Sequence, residues 1–266
     1  MGLGKQIRIQ RIFSHPSGNL CSIAIDHFVL YNLGLPPGLR HIKNTLQAVM
    51  SAQPDAVTMH KGIASALWGT YAGKAALVLQ TSGIRADDSA MVELATVEEA
   101  LRLGADALAV AAFMHGKTEA HYLKVVADLV REGAKWELPI ITHVYPRDEQ
   151  NNVIYTPDDI AWAVHCMVEA GADIVKVPYC GDPAAHAQIV ADCPVPVVAA
   201  GGPKTPTMRD ALNILAEAVS VGVRGGTVGR NVWGSTDVAG AVRAYKAVIH
   251  DGKSADEALH EMVEAG

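Results

Sequence analysis

The sequence predicts a single α/β domain closed as a (β/α)8 TIM barrel, and three observations point there. Eight short apolar runs recur along 266 residues, and most are followed by a stretch with helical spacing. Half of the residues are hydrophobic but only 5% are aromatic. The core must therefore be built from Ala, Val, Ile and Leu, which suits parallel strands covered by helices. No linker, low-complexity segment or charge run divides the chain. Residues 1–266 thus read as one domain, with 1–18 an N-terminal extension and 237–266 C-terminal helices. A doubly wound sheet is the structural competitor, but strand count and spacing favour closure.

The strands are expected over residues 21–25, 56–59, 76–80, 107–111, 139–144, 173–177, 195–200 and 225–228, each short and rich in Val, Ile, Leu or Ala. Between them, helices are expected over 42–52, 96–103, 120–132, 157–170, 183–191 and 207–219, amphipathic near the 3.6-residue period. Gly104 and Gly171 stand just before the next strand, where a left-handed glycine ends a helix. The third connection, "TSGIRADDSAMVELA", reads as a loop rather than a helix. The segment from Asp237 to Ala265 holds the eighth helix and a terminal one.

Composition excludes several function classes. A net charge of −6 and an isoelectric point near 6.0 argue against a broad nucleic-acid surface, although local basic residues can still hold a small anion. Cys21, Cys166, Cys180 and Cys193 show no CxxC spacing, so neither a disulfide framework nor a zinc site is expected, and the cytoplasm is the natural compartment. The start "MGLGKQIRIQRIF" lacks a signal-peptide core and a myristoylation Ser or Thr. No run reaches ~18 apolar residues, so no membrane span is expected.

In such barrels the chemistry collects where strands run out into the following loops. Those positions hold Asp26 and His27 after strand 1, His60 and Lys61 after strand 2, and Tyr145 and Arg147 after strand 5. Lys176 is near the end of strand 6, Gly201, Gly202 and Lys204 follow strand 7, and Gly229 and Arg230 follow strand 8. Glycines let backbone N–H groups approach a ligand, and the loops after strands 7 and 8 are the usual phosphate site of these barrels. "AAGGPK" and "TVGRNVW" therefore predict a phosphate cradle with Arg230 as a charge-assisted partner. The competing reading is a plain tight turn ahead of a helix begun by Pro206.

Lys176 interrupts an apolar strand, "IVKVPY". A buried lysine must be neutralised, paired or used. One reading is a salt bridge with Asp26. The other is a free amine that attacks a carbonyl and forms an iminium, with Asp26 and Tyr145 as proton carriers. The local pattern leaves both open.

Six motifs in one order, "AIDHFV", "TMHKGIA", "LPIITHVYPRDE", "GADIVKVPYCGDP", "CPVPVVAAGGPKT" and "VGRNVW", resemble the archaeal-type class I fructose-bisphosphate aldolase group (DhnA type), within the aldolase family that includes deoxyribose-phosphate aldolase. The resemblance implies a (β/α)8 barrel, metal-independent Schiff-base chemistry with no cofactor, and a phosphorylated ketose substrate. It also implies a homo-oligomer, for which a decamer of pentameric rings is one form. Residue by residue, it implies that Lys176 is the Schiff-base lysine and Tyr145 the general acid/base. Asp26 would assist carbinolamine formation and orient substrate hydroxyls. Gly201, Gly202, Gly229 and Arg230 would hold phosphate, and His27, His60 and Lys61 would line the site.

The resembling group spans several reactions. Alternatives are an amino-dideoxy-heptulosonate synthase and a coenzyme A-dependent thiolase of a phosphorylated diketone, although nothing in this sequence spells a coenzyme A site. A phosphate-binding barrel without catalysis is the non-enzyme alternative, and the joint presence of Asp26, Tyr145 and Lys176 argues against it. Two departures bear on the substrate. Phe28 follows "DH" where many members have glycine, and Pro178 stands where some have a second lysine.

Other polar residues read as local structure. His115 and Lys117 suit a solvated loop, Asp87 and Asp88 need no catalytic role, and Arg147 is expected to pair with Asp148 at the surface. Cys180 reads as packing, and Trp68, Trp136, Trp162 and Trp233 as core, helix packing or oligomer contact.

Overall fold

The computed structural model describes residues 1–30, 34–84 and 92–263. Eight parallel strands close into a barrel: β1 (Leu20–Ala24), β2 (Ala56–Met59), β3 (Ala76–Gln80), β4 (Ala107–Met114), β5 (Ile140–Pro146), β6 (Ile174–Val177), β7 (Val197–Ala200) and β8 (Gly225–Val228). Each pairs with its sequence neighbours, and β1 joins β8 through Leu20–Gly225 to Ile23–Val228. The (β/α)8 expectation is met.

The strand side chains divide into two cores. Val57, Leu77, Leu108, Ile140, Val175 and Val197 face outward and pack beneath the helices. Leu20, Ala56, Ala76, Val78, Ala107, Ile141, Ile174 and Val198 fill the lumen toward the strand starts. Small residues dominate the lumen because only a limited side-chain volume fits inside eight strands.

Ile12 completes the luminal cluster and is fully buried. It ends the helix Leu3–Ile12, which caps the strand starts and is tied there by Lys5 to Asp173 (2.9 Å) and Arg11 to Asp106 (3.3 Å). Asp173 also accepts from the Ile140 N–H at 2.9 Å. The N-terminal extension is thus a plug for one end of the barrel.

Two strands outrun their expected bounds. β4 continues to Met114 and β5 to Pro146 because each pairs with the other through Met114–Pro146. The consequence for the site is that Tyr145 stands on a strand, not in a loop. The third connection contains a two-stranded antiparallel ribbon, Ser82–Gly83 with Val92–Glu93, then the helix Val97–Arg102 under a Thr96/Glu99 capping box. Asp87 and Asp88 lie outside the described residues. The helices Val238–Asp251 and Ala255–Val263 close the chain, the first ending at left-handed Gly252. Among the described residues no helix is long and apolar enough to cross a membrane.

Candidate active site

Side chains alternate along each strand, so those two positions beyond the luminal core point to the opposite barrel mouth. On β6, Ile174 fills the lumen and Lys176, two residues on, shares its face. On β5 the same step leads from Ile141 to His143 and then Tyr145. On β3 it leads from Val78 to Gln80, and beyond β1 it reaches Asp26. Asp26, Gln80, His143 and Lys176 are all buried, with Lys176 at 5% exposure. The parallel register sets His143 directly beside Lys176, and Lys176 beside Val198.

These groups form a connected polar layer. The Gln80 side-chain oxygen accepts from the Ser82 N–H at 2.9 Å. Its amide nitrogen faces Asp26 Oδ2 and His143 Nδ1, both at 3.3 Å. His27 Nδ1 is 3.3 Å from Asp26 Oδ1. Burial alone would raise the Asp26 pKa, but the His27 hydrogen bond and the electrostatic influence of His27, His60 and Lys176 carry it well below the usual carboxylate range. Asp26 is therefore a carboxylate at neutral pH. His143 moves the other way: burial, and then Lys176, hold its imidazole well below the ordinary value, with Asp26 opposing. It is therefore neutral.

His60 braces this layer. Its ring nitrogens are 3.0 Å from the Gln80 carbonyl and 3.2 Å from the Asp26 carbonyl, so it spans the ends of β3 and β1. Burial lowers its pKa, with Asp26 opposing.

The loops after β7 and β8 leave neighbouring strands, and β7 pairs with the strand that carries Lys176. Gly202 has φ +65°, a left-handed backbone that glycine adopts without strain. Gly229 precedes the short helix Arg230–Trp233 and packs so closely on His27 that an added Cβ would stand 2.4 Å from its ring. Asn231, which the sequence reading missed, staples the two loops. Its Nδ2 donates to the carbonyls of Gly201 (3.2 Å) and Pro203 (3.1 Å), and its Oδ1 accepts from the Thr205 N–H at 3.0 Å. Lys204 stays at the rim, donating to the Gly234 carbonyl at 2.6 Å.

Several expected positions are redirected. Lys61 was expected to line the site but turns outward to Glu99 at 2.7 Å, because it opens the helix Lys61–Leu67. Arg147 does not pair with Asp148 at the surface. Its guanidinium lies buried 3.7 Å from the centre of the Phe113 ring, while Asp148 accepts from the N–H groups of Gln150 and Asn152 within its own loop. A guanidinium is weakly hydrated and stacks readily on an aromatic face, which favours the first arrangement. His115 contacts Asp159 at 2.9 Å and stacks with Trp162, and Lys117 is exposed. Phe28 packs partly buried against the outer core. Trp68 and Trp233 are buried, whereas Trp136 and Trp162 are exposed.

Comparison with known proteins places this arrangement in context. The profile described as DeoC/LacD family aldolase matches residues 20–235. A 2-amino-4,5-dihydroxy-6-oxo-7-(phosphonooxy)heptanoate synthase of Streptomyces griseus is 30% identical over 251 residues, covering 93% of this chain and 90% of that one. A 3-hydroxy-5-phosphonooxypentane-2,4-dione thiolase of Escherichia coli is 31% identical over 260 residues, covering 96% and 85%. Among solved structures, an archaeal fructose-1,6-bisphosphate aldolase whose catalytic lysine is covalently bound to the carbinolamine intermediate superposes with a TM-score of 0.81. It is 28% identical and covers 92% of this chain and 99% of that one.

Proposed function

The chain belongs to the DeoC/LacD aldolase family and is an aldolase of the lysine-dependent class, and from that premise we propose that it makes or breaks a carbon–carbon bond in a phosphorylated ketose or a small phosphorylated dicarbonyl, with Lys176 as the Schiff-base nucleophile. The observation that carries this reading is a lysine buried in the lumen within an Asp26–Gln80–His143 layer, on the strand that pairs with β7.

In the cleavage direction Lys176 Nζ, as the free amine, attacks the C2 carbonyl of the ketose. Loss of water leaves an iminium, which withdraws electrons from C3. Tyr145, having given its phenolic proton to the hydroxyl that leaves as water, accepts the proton of the C4 hydroxyl as a phenolate while the C3–C4 bond breaks, and the released electron pair is held as an enamine. Protonation and hydrolysis of the enamine then return Lys176. Asp26, ionised, accepts hydrogen bonds from substrate hydroxyls and steers the amine. The Gly201 N–H is taken by the Thr227 carbonyl at 3.0 Å, so the backbone N–H groups of Gly202 and Gly229, with the Arg230 side chain and Lys204 at the rim, hold the phosphate. The salt-bridge alternative for Lys176 is less favoured because Asp26 stands at ion-pair distance from His27, at 3.3 Å, and no Lys176 ion pair is found among the described residues. We take the working form to be a cytoplasmic homo-oligomer.

The test is borohydride trapping with dihydroxyacetone phosphate, read by intact mass and peptide mapping. A reduced adduct on Lys176 is expected, and its absence would sink the dihydroxyacetone phosphate aldolase reading. A panel of phosphorylated ketones and diketones then sorts the substrate classes. Full turnover by Lys176→Ala would remove the Schiff-base mechanism altogether.

A further inference from the structure

The polar layer poses a problem that Lys176, Asp26 and Tyr145 leave unsolved. Attack of an amine on a ketone moves the carbonyl electron pair onto oxygen, and that oxygen needs a donor where the charge develops. Asp26 is ionised and offers no proton for such a bond. The group beside Lys176 in register is His143. Parallel strands lie ~4.8 Å apart, so two neighbouring side chains on one face share the same few ångströms of lumen.

The state of His143 follows from Gln80. The Gln80 oxygen is engaged by the Ser82 N–H, so the amide nitrogen is the end that faces the lumen. That NH2 has two hydrogens and two neighbours at 3.3 Å, Asp26 Oδ2 and His143 Nδ1. A carboxylate only accepts, so one hydrogen goes to Asp26 and the other to His143 Nδ1. A ring nitrogen that accepts carries no proton, so the neutral imidazole bears its hydrogen on Nε2. The intervening strand leaves Gln80 room to reach across: β4 presents Ala109 in register with Gln80 and Ala111 in register with His143.

We propose that His143 is a neutral hydrogen-bond donor, through Nε2–H, to the oxygen of the carbonyl that Lys176 attacks, and that Gln80 is the positioning residue that fixes its tautomer. This rests on the Schiff-base reading above. In the step itself, the Nζ–C bond forms as the C–O π bond breaks. Nitrogen is left with a positive charge and oxygen with a negative one. His143 holds the oxygen by its N–H and keeps its own proton. A proton then passes from nitrogen to oxygen, giving the neutral carbinolamine with atoms and charge balanced. An imidazolium in this place would add a second cation beside Lys176. Among the described residues, the charged and titratable groups whose fields act on the ring are Lys176, Asp26 and His27.

The test joins spectroscopy to trapping kinetics. In 15N-histidine-labelled protein, His143 should show a protonated Nε2 and a bare Nδ1, unchanged across about pH 5 to 8, where an ordinary imidazole titrates. His143→Phe should slow borohydride-trapped adduct formation by ~10²–10³-fold, the usual consequence of losing one oxyanion donor, while His143→Gln, which keeps a side-chain N–H, should recover most of it. Gln80→Glu cannot donate to Nδ1. It should move the proton there or make the ring titrate, and should slow trapping comparably with little change in KM. A proton on Nδ1 in the wild type, or a His143→Phe variant trapping at the wild-type rate, overturns the proposal. Because the nitrogen spectra need no turnover, a wild type that forms no adduct at all would overturn the Schiff-base reading while leaving the tautomer assignment standing.

Discussion

Replacing Gly229 with Ala tests whether the close approach of β8 to His27 sets the site. An added Cβ would stand 2.4 Å from His27 Cε1, 3.0 Å from His27 Nε2 and 2.9 Å from the Ala24 carbonyl. Ordinary carbon contacts begin near ~3.5 Å, so a displacement of ~1 Å is required. Ala24 pairs with Thr58 and cannot give way. His27 is buried between Asp26 and the edge of Trp233, whose ring centre is 5.2 Å away. Either His27 leaves Asp26 or the β8 loop lifts from the lumen. Overpacking of this kind costs about 1–3 kcal/mol, or ~2–4 °C of Tm for each kcal/mol in a chain of this size. A ~1 Å misplacement of site groups slows chemistry by ~10²-fold. Thermal melts by circular dichroism and the rate of borohydride trapping measure the two effects. Gly62→Ala is the control, since no atom comes within 4 Å of its added Cβ and a helical glycine replaced by alanine gains up to ~1 kcal/mol. If Gly229→Ala melts with the wild type and traps at its rate, the close-packing argument is wrong.

Asp26→Asn keeps the shape and removes the charge; trapping should fall ~10²-fold or more, by a similar factor at about pH 5 and about pH 8, because the wild-type group is ionised at both. A defect confined to one end of that range would contradict the assignment. His186 is fully buried with both ring nitrogens unpartnered, and burial takes its pKa from 6.5 down to about 4. The stability tied to its neutral state is full above the unfolded value and lost as pH falls through that window, to at most ~3 kcal/mol at 1.36 kcal/mol per pH unit. His186→Leu should therefore flatten this part of the acid dependence of the urea midpoint, and equal slopes in the two proteins would disprove it. Ile12→Ala should lower stability by ~2–5 kcal/mol and leave trapping per folded molecule unchanged, since the plug is at the far end of the lumen from Lys176; a matched loss of both would mean the helix shapes the site.

Much of the fold is carried by local signals. Gly104 and Gly171 mark helix ends, and the runs at β2, β3 and β8 are apolar enough to read directly, because burial on both faces leaves no polar alternation to confuse the pattern. The ends of β4 and β5 were not legible, since each is extended only by pairing with the other. Helix Leu3–Ile12 was missed as a plug: its local pattern cannot reveal that Ile12 enters a lumen built from strands up to nearly two hundred residues away.

The sequence by itself determined that this is a parallel barrel, that Lys176 interrupts an apolar strand, and that glycine turns follow the last two strands. These follow from composition, period and spacing, which are properties of the chain alone. Only the tertiary structure decided which side chains meet. It turned Lys61 out to Glu99 and stacked Arg147 on Phe113. It also assembled Asp26, Gln80 and His143 around Lys176 from four strands or strand ends. Gln80 and His143 drew no notice in the sequence because a lone amide or imidazole ending an apolar run is unremarkable. Their chemistry exists only where the closed barrel removes water and leaves each polar atom to find its partner across the lumen.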